Sequence, residues 1–141
     1  TFTEASPRIS PNGRWVAYVS NESGRDEIYV RALDASGVKT QVSRQGGRVP
    51  VWSKDGRELF FLENASLMGV PVSTAGEAFE SGRPTALFTL RRMPSDDGSI
   101  YSVAPDGHSF VVIEPLTTYV PTMAHLITGW SREVLQKVQV K

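Results

Sequence analysis

The chain has only two histidines, His108 and His125, and no cysteine. A metal centre needs three or four His, Cys, Asp or Glu ligands at compatible spacing, and no such set recurs around either histidine. His108 follows a turn and reads as a solvated turn residue. His125 falls in an apolar strand and reads as a structural histidine. Asp96-Asp97-Gly98 offers oxygen ligands, but a calcium loop needs alternating ligands and a distal glutamate, so these residues read as a polar turn. No Gly-x-Ser-x-Gly nucleophile elbow is present, and spacing assembles no Ser-His-Asp set. Gly46-Gly47 fits a turn rather than a phosphate cradle. The sequence thus nominates no catalytic residue, no cofactor and no metal ligand. Its remaining chemistry is that of binding. Arg8 and Arg48 carry guanidinium groups that pair with carboxylates, and Trp52 and Tyr101 carry rings suited to a peptide or glycan. Whether the four converge depends on the elements that carry them.

Those elements repeat. Ser10-Pro11-Asn12-Gly13 is followed by the apolar run Trp15 to Val19, Ser53-Lys54-Asp55-Gly56 by Leu59 to Leu62, and Ala104-Pro105-Asp106-Gly107 by Phe110 to Ile113. Asn-Gly and Asp-Gly tolerate positive φ and make tight turns, while β-branched and aromatic residues suit a packed, pleated surface. The turn glycines lie 43 and 51 residues apart. A turn-plus-strand unit at a period of roughly 40–50 residues marks propeller blades. The fold class is therefore all-β, with about three four-stranded antiparallel blades, the last incomplete. Blade one is expected over about 5–45, blade two over 46–90 and blade three over 98–130. The run Leu59-Phe60-Phe61-Leu62 predicts a strand buried on both faces. Pro71 places its strand, Leu67 to Val72, towards a sheet edge. Val134, Leu135 and Val138 recur at helical spacing after a capping Ser131, which predicts a short helix over 131–139.

In a propeller the first strand of each blade lines the central channel. This places Arg8, Arg48, Trp52 and Tyr101 near the axis or its mouths. The competing reading packs the two rings between blades, and it is the favoured one for Trp52. Three blades do not close a ring, because propellers have about 4–8. The expectation is a homodimer that completes the ring, or further blades outside this sequence. The chain starts within a few residues of a repeat and without a basic, apolar leader, as a mature piece or fragment of a longer protein would. Fifteen basic residues balance fifteen acidic ones, which argues against a nucleic-acid surface. No apolar run approaches the roughly 18–20 residues of a membrane span.

The three turns, each followed by a basic or polar residue and an apolar strand, resemble those of TolB-like, WD-repeat-like bacterial β-propellers. The later segments Leu67-Met68-Gly69-Val70-Pro71-Val72, Phe79-Glu80-Ser81-Gly82-Arg83-Pro84, Tyr101-Ser102-Val103-Ala104-Pro105-Asp106-Gly107 and a last strand ending in Trp130 are similar to the C-terminal blades of propellers attached to bacterial Ser/Thr kinases and other sensors. The resemblance implies an antiparallel propeller, often of six or more blades, and a periplasmic or cell-envelope location. The repeats, the balanced charge and the missing catalytic motifs point to a non-catalytic module that binds a protein or peptide partner. The alternative is the regulatory propeller of a sensor kinase or prolyl-peptidase-like hydrolase whose catalytic domain lies elsewhere.

Overall fold

A computed structural model describes residues 2–34, 37–75, 78–91, 100–114 and 123–127. Blade one is an antiparallel sheet of β1 (Glu4–Ile9), β2 (Trp15–Ser20), β3 (Glu27–Ala32) and β4 (Thr40–Gln41), in that order. Blade two is built from β5 (Arg48–Trp52), β6 (Glu58–Glu63) and β7 (Ser66–Ser73), and β7 then pairs with both β8 (Glu80–Ser81) and β9 (Thr85–Thr89). Blade three comprises β10 (Tyr101–Val103), β11 (Phe110–Glu114) and β12 (Met123–Ile127). The described residues contain strands and turns only. The helix expected over 131–139 and the Asp96-Asp97-Gly98 turn lie outside them.

The repeated turns share one geometry. Gly13, Gly56 and Gly107 have φ of 71°, 70° and 71°, a region in which a Cβ is strained. Their amides donate to Ser10, Ser53 and Ala104. Asn12 Oδ1 accepts from Ser10 Oγ and the Arg14 amide. Asp55 Oδ1 accepts from Ser53 Oγ and the Arg57 amide in the same way, and Asp106 accepts from the His108 and Ser109 amides. Asn12 differs in one respect. Its amide also donates to the Thr74 carbonyl of blade two at 2.9 Å, beside the Trp15 indole, which donates to the same oxygen at 3.2 Å. An aspartate could not make that link.

β6 lies between the two cores. Leu59 and Phe61 pack with Trp15, Ala17, Val19, Ile28 and Val30 of blade one. Phe60 and Leu62 point the other way, into a core with Phe110, Val112 and Tyr101 of blade three. Strand side chains alternate between faces, so a continuous apolar run serves both blade interfaces. Phe60 meets Phe110 edge-on at 5.0 Å. Phe79 wedges between Trp15 and Trp52, with centroids 5.7 and 6.2 Å away.

The linker from blade one to blade two hangs on a buried carboxylate. Glu27 accepts from Arg25 Nε at 2.8 Å, the Gly46 amide at 3.1 Å and the Ser43 hydroxyl. Ser43 Oγ in turn accepts from the Ile28 amide, so a side chain continues the ladder beyond the short β4.

The edge position expected for Pro71 is corrected. β7 is interior, with β6 on one side and β8 and β9 on the other. Val72 donates to Arg57 on the β6 side, whereas the Pro71 carbonyl faces β8 and accepts from Gly82 at 2.8 Å. The ring nitrogen of Pro71 faces the same side as its carbonyl. It falls where β9 pairing has stopped, at Gly69, and β8 pairing begins, at Val72. The missing N–H is thus placed where no ladder bond is needed.

Candidate binding site at the inner strands

β1, β5 and β10 are the first strands of their blades, and each packs beside the next. β1 and β5 share an irregularity. Ser6 and Val49 have φ of 52° and 53°, each precedes a proline, and each sits inside a register shift of its strand pair. For a β-branched residue such a φ is an outlier costing on the order of 1–3 kcal/mol. Bulges of this kind take backbone groups out of the ladder and re-aim side chains. The two bulges occupy the same offset, four residues before Ser10 and Ser53.

The four candidate residues occupy two kinds of place. Trp52 and Tyr101 are buried. The Trp52 indole donates to the Arg8 carbonyl on β1 at 2.9 Å, and the Tyr101 hydroxyl donates to the Val49 carbonyl on β5 at 2.7 Å. In each case a ring on one first strand bonds a backbone carbonyl on the first strand of the preceding blade. Burial pushes the Tyr101 phenol well above its ordinary range, and the Arg8 charge offsets part of that effect. The phenol is therefore a fixed donor rather than a base. Arg8 and Arg48 are exposed, and Arg8 donates to its own neighbour, the Pro7 carbonyl, at 3.0 Å.

The inner strands thus present guanidinium groups to solvent on a backbone braced by the two rings. Such groups hold carboxylates through charge-assisted hydrogen bonds. Among the described residues no group of three His, Asp or Glu is placed to hold a metal. His108 is exposed in its turn. Sequence reasoning missed the two bulges, although the paired Ser6-Pro7 and Val49-Pro50 steps, at equal distance from their turns, were a usable signal.

The antiparallel sheets, packed face to face through a shared central blade with their first strands adjacent, define the chain as an arc of a β-propeller. More narrowly, the fold is TolB-like. A protein described as a TolB from Agrobacterium tumefaciens matches with a TM-score of 0.52 at 19% identity, over 85% of this chain and 43% of its own. An oligogalacturonate lyase from Vibrio parahaemolyticus matches at 0.51 and 17%, over 78% of this chain and 30% of its own. TolB from Acinetobacter baumannii aligns over 89% of this chain and 41% of its own, at 16% identity and a TM-score of 0.41. The chain therefore spans less than half the length of each of these structures. No protein-family model and no curated protein matches it.

Proposed function

We propose that the chain is a non-catalytic propeller module that binds a protein or peptide through an acidic group at its inner strands. The observation that carries this reading is the pair of exposed arginines, Arg8 and Arg48, on first strands whose neighbouring ring donors are already engaged. The ring is completed by a second copy or by further blades of a longer chain. A module of this kind needs no metal or cofactor. The test is fluorescence anisotropy of a labelled glutamate-rich peptide at low salt. A charge-assisted hydrogen bond contributes about 1.5–3 kcal/mol, so Arg8→Ala or Arg48→Ala weakens binding by roughly tenfold or more. Equal affinity of the wild type and the Arg8→Ala/Arg48→Ala double variant refutes the reading.

A second reading is the regulatory propeller of a multidomain enzyme, either a sensor Ser/Thr kinase or a prolyl-peptidase-like hydrolase, with the catalytic part elsewhere. The parent reading frame decides this: a kinase motif set upstream or a nucleophile elbow downstream supports it, and the lack of both ends it. The lyase neighbour acts on oligogalacturonate, a carboxylate polymer. That compound is therefore the second probe in the anisotropy competition.

A further inference from the structure

Asn12 and Gly13 form the chain's one Asn-Gly step; its other asparagines, Asn21 and Asn64, precede Glu22 and Ala65. Asn-Gly is the step at which the backbone most readily attacks the preceding side chain, because glycine puts no Cβ in the way. The nitrogen of Gly13 loses its proton and bonds to Cγ of Asn12. The Cγ–Nδ2 bond breaks and ammonia leaves, which closes a succinimide ring. Water then opens the ring at either carbonyl and gives aspartate or isoaspartate. Solvent is the only co-reactant, since one amide nitrogen is exchanged for an oxygen from water.

The folded turn holds both reacting groups away from this path. The Gly13 amide is engaged, donating to the Ser10 carbonyl at 2.9 Å. Oδ1 of Asn12 accepts from Ser10 Oγ at 2.7 Å and from the Arg14 amide at 3.2 Å. Nδ2, the leaving nitrogen, donates to the Thr74 carbonyl of blade two at 2.9 Å. Attack needs the side chain to turn its Cγ towards the Gly13 nitrogen, and these bonds oppose the rotation. The bond to Thr74 exists only while blade one is docked on blade two. Access of water does not limit the reaction, since Asn12 and Gly13 are exposed and a Cβ on Gly13 would meet nothing within 4 Å. Asp55 and Asp106, at the same position of the other turns, show what an aspartate does there. Each keeps the turn's acceptor contacts, but a carboxylate cannot donate to Thr74. Isoaspartate adds a carbon to the backbone inside a turn where Gly13 holds φ at 71°.

We propose that Asn12 is a self-modification site gated by the contact between blades one and two. Opening of that contact frees the amide, and the succinimide route then removes the donor that joins the blades at this turn. The reaction is one-way. The aspartate product re-forms its turn as blades two and three form theirs, with a weaker first interface. A group covered by a docked element is exposed for a fraction of the time set by the free energy of opening. The rate at Asn12 therefore reports how often the two blades part.

Ion-exchange chromatography and peptide mapping of the full chain, incubated at mildly alkaline pH, test it. Conversion adds a negative charge, which separates it from isomerisation at Asp55-Gly56 or Asp106-Gly107, where the charge is unchanged. The folded wild type is expected to convert at least roughly tenfold more slowly than the same chain in urea. Phe61→Ala, which loosens the packing of blade two on blade one, speeds conversion of the folded chain by roughly tenfold or more. Phe61→Leu, with a smaller acceleration, replaces it if circular dichroism finds the alanine variant unfolded. The added charge maps to Asn12, and Asn12→Asp gains none over the same period. The converted chain, once separated, has a lower urea midpoint than the unconverted one. Equal rates folded and in urea, a folded Phe61 variant that converts at the wild-type rate, a charge gained elsewhere than Asn12, or an unchanged midpoint overturns the proposal.

Discussion

Replacing Tyr101 with Phe removes one oxygen and leaves the ring in place. The Tyr101 side chain is buried, and its hydroxyl donates to the Val49 carbonyl at 2.7 Å. That carbonyl belongs to a residue already held at φ 53°, so backbone adjustment to find a new donor is restricted. The cost combines a lost hydrogen bond with a buried acceptor left unsatisfied, about 1–3 kcal/mol. An unfolding entropy of ~2.1 cal/mol/K per residue makes this about 3–10 °C in Tm for a chain of this length. Differential scanning calorimetry at pH 7 reads it. The pH dependence provides a second check. Burial raises the phenol's folded pKa above its ordinary value of 10.0. The stability linked to this shift is fully present below pH 10, and it is lost as pH rises through the folded pKa. The Tm gap between wild type and Tyr101→Phe therefore narrows above pH 10. Equal Tm values at pH 7, or a gap that widens in alkali, refute the argument.

Phe61→Ala empties a fully buried site between blades one and two and costs about 3–5 kcal/mol, read as a lower urea midpoint with unchanged slope. Asn12→Asp removes the donor to the Thr74 carbonyl and lowers stability by about 1–2 kcal/mol. The matching change Asp55→Asn keeps its Oδ1 acceptor contacts and has little effect on the same denaturation curve. Glu27→Gln weakens the link to Arg25 and replaces one acceptor oxygen with a donor. It costs about 1–3 kcal/mol, and hydrogen exchange then rises first in the linker at 44–47.

The architecture was legible where one residue type has one physical use. Three Asn-Gly or Asp-Gly turns ahead of apolar runs marked the blades, and four consecutive apolar residues, Leu59 to Leu62, marked a strand with two buried faces. Pro71 misled because proline's restriction concerns one N–H, and the sequence does not show that β8 and β9 share the outer side of β7 and leave a gap there. The role of Glu27 was hidden because Ser43 and Gly46 lie 16 and 19 residues away. At the candidate site, Arg8, Arg48, Trp52 and Tyr101 were nominated as a set by strand position. Strand position carries no side-chain burial, so the division into two exposed cations and two buried donors emerged only from packing.

Hydrogen exchange with and without the glutamate-rich peptide tests the binding site most directly. The account predicts slowed exchange at β1 and β5, residues 4–9 and 48–52, with the outer strands β4, β8 and β9 unchanged. Protection centred on those outer strands, or no protection at a saturating peptide concentration, would contradict it.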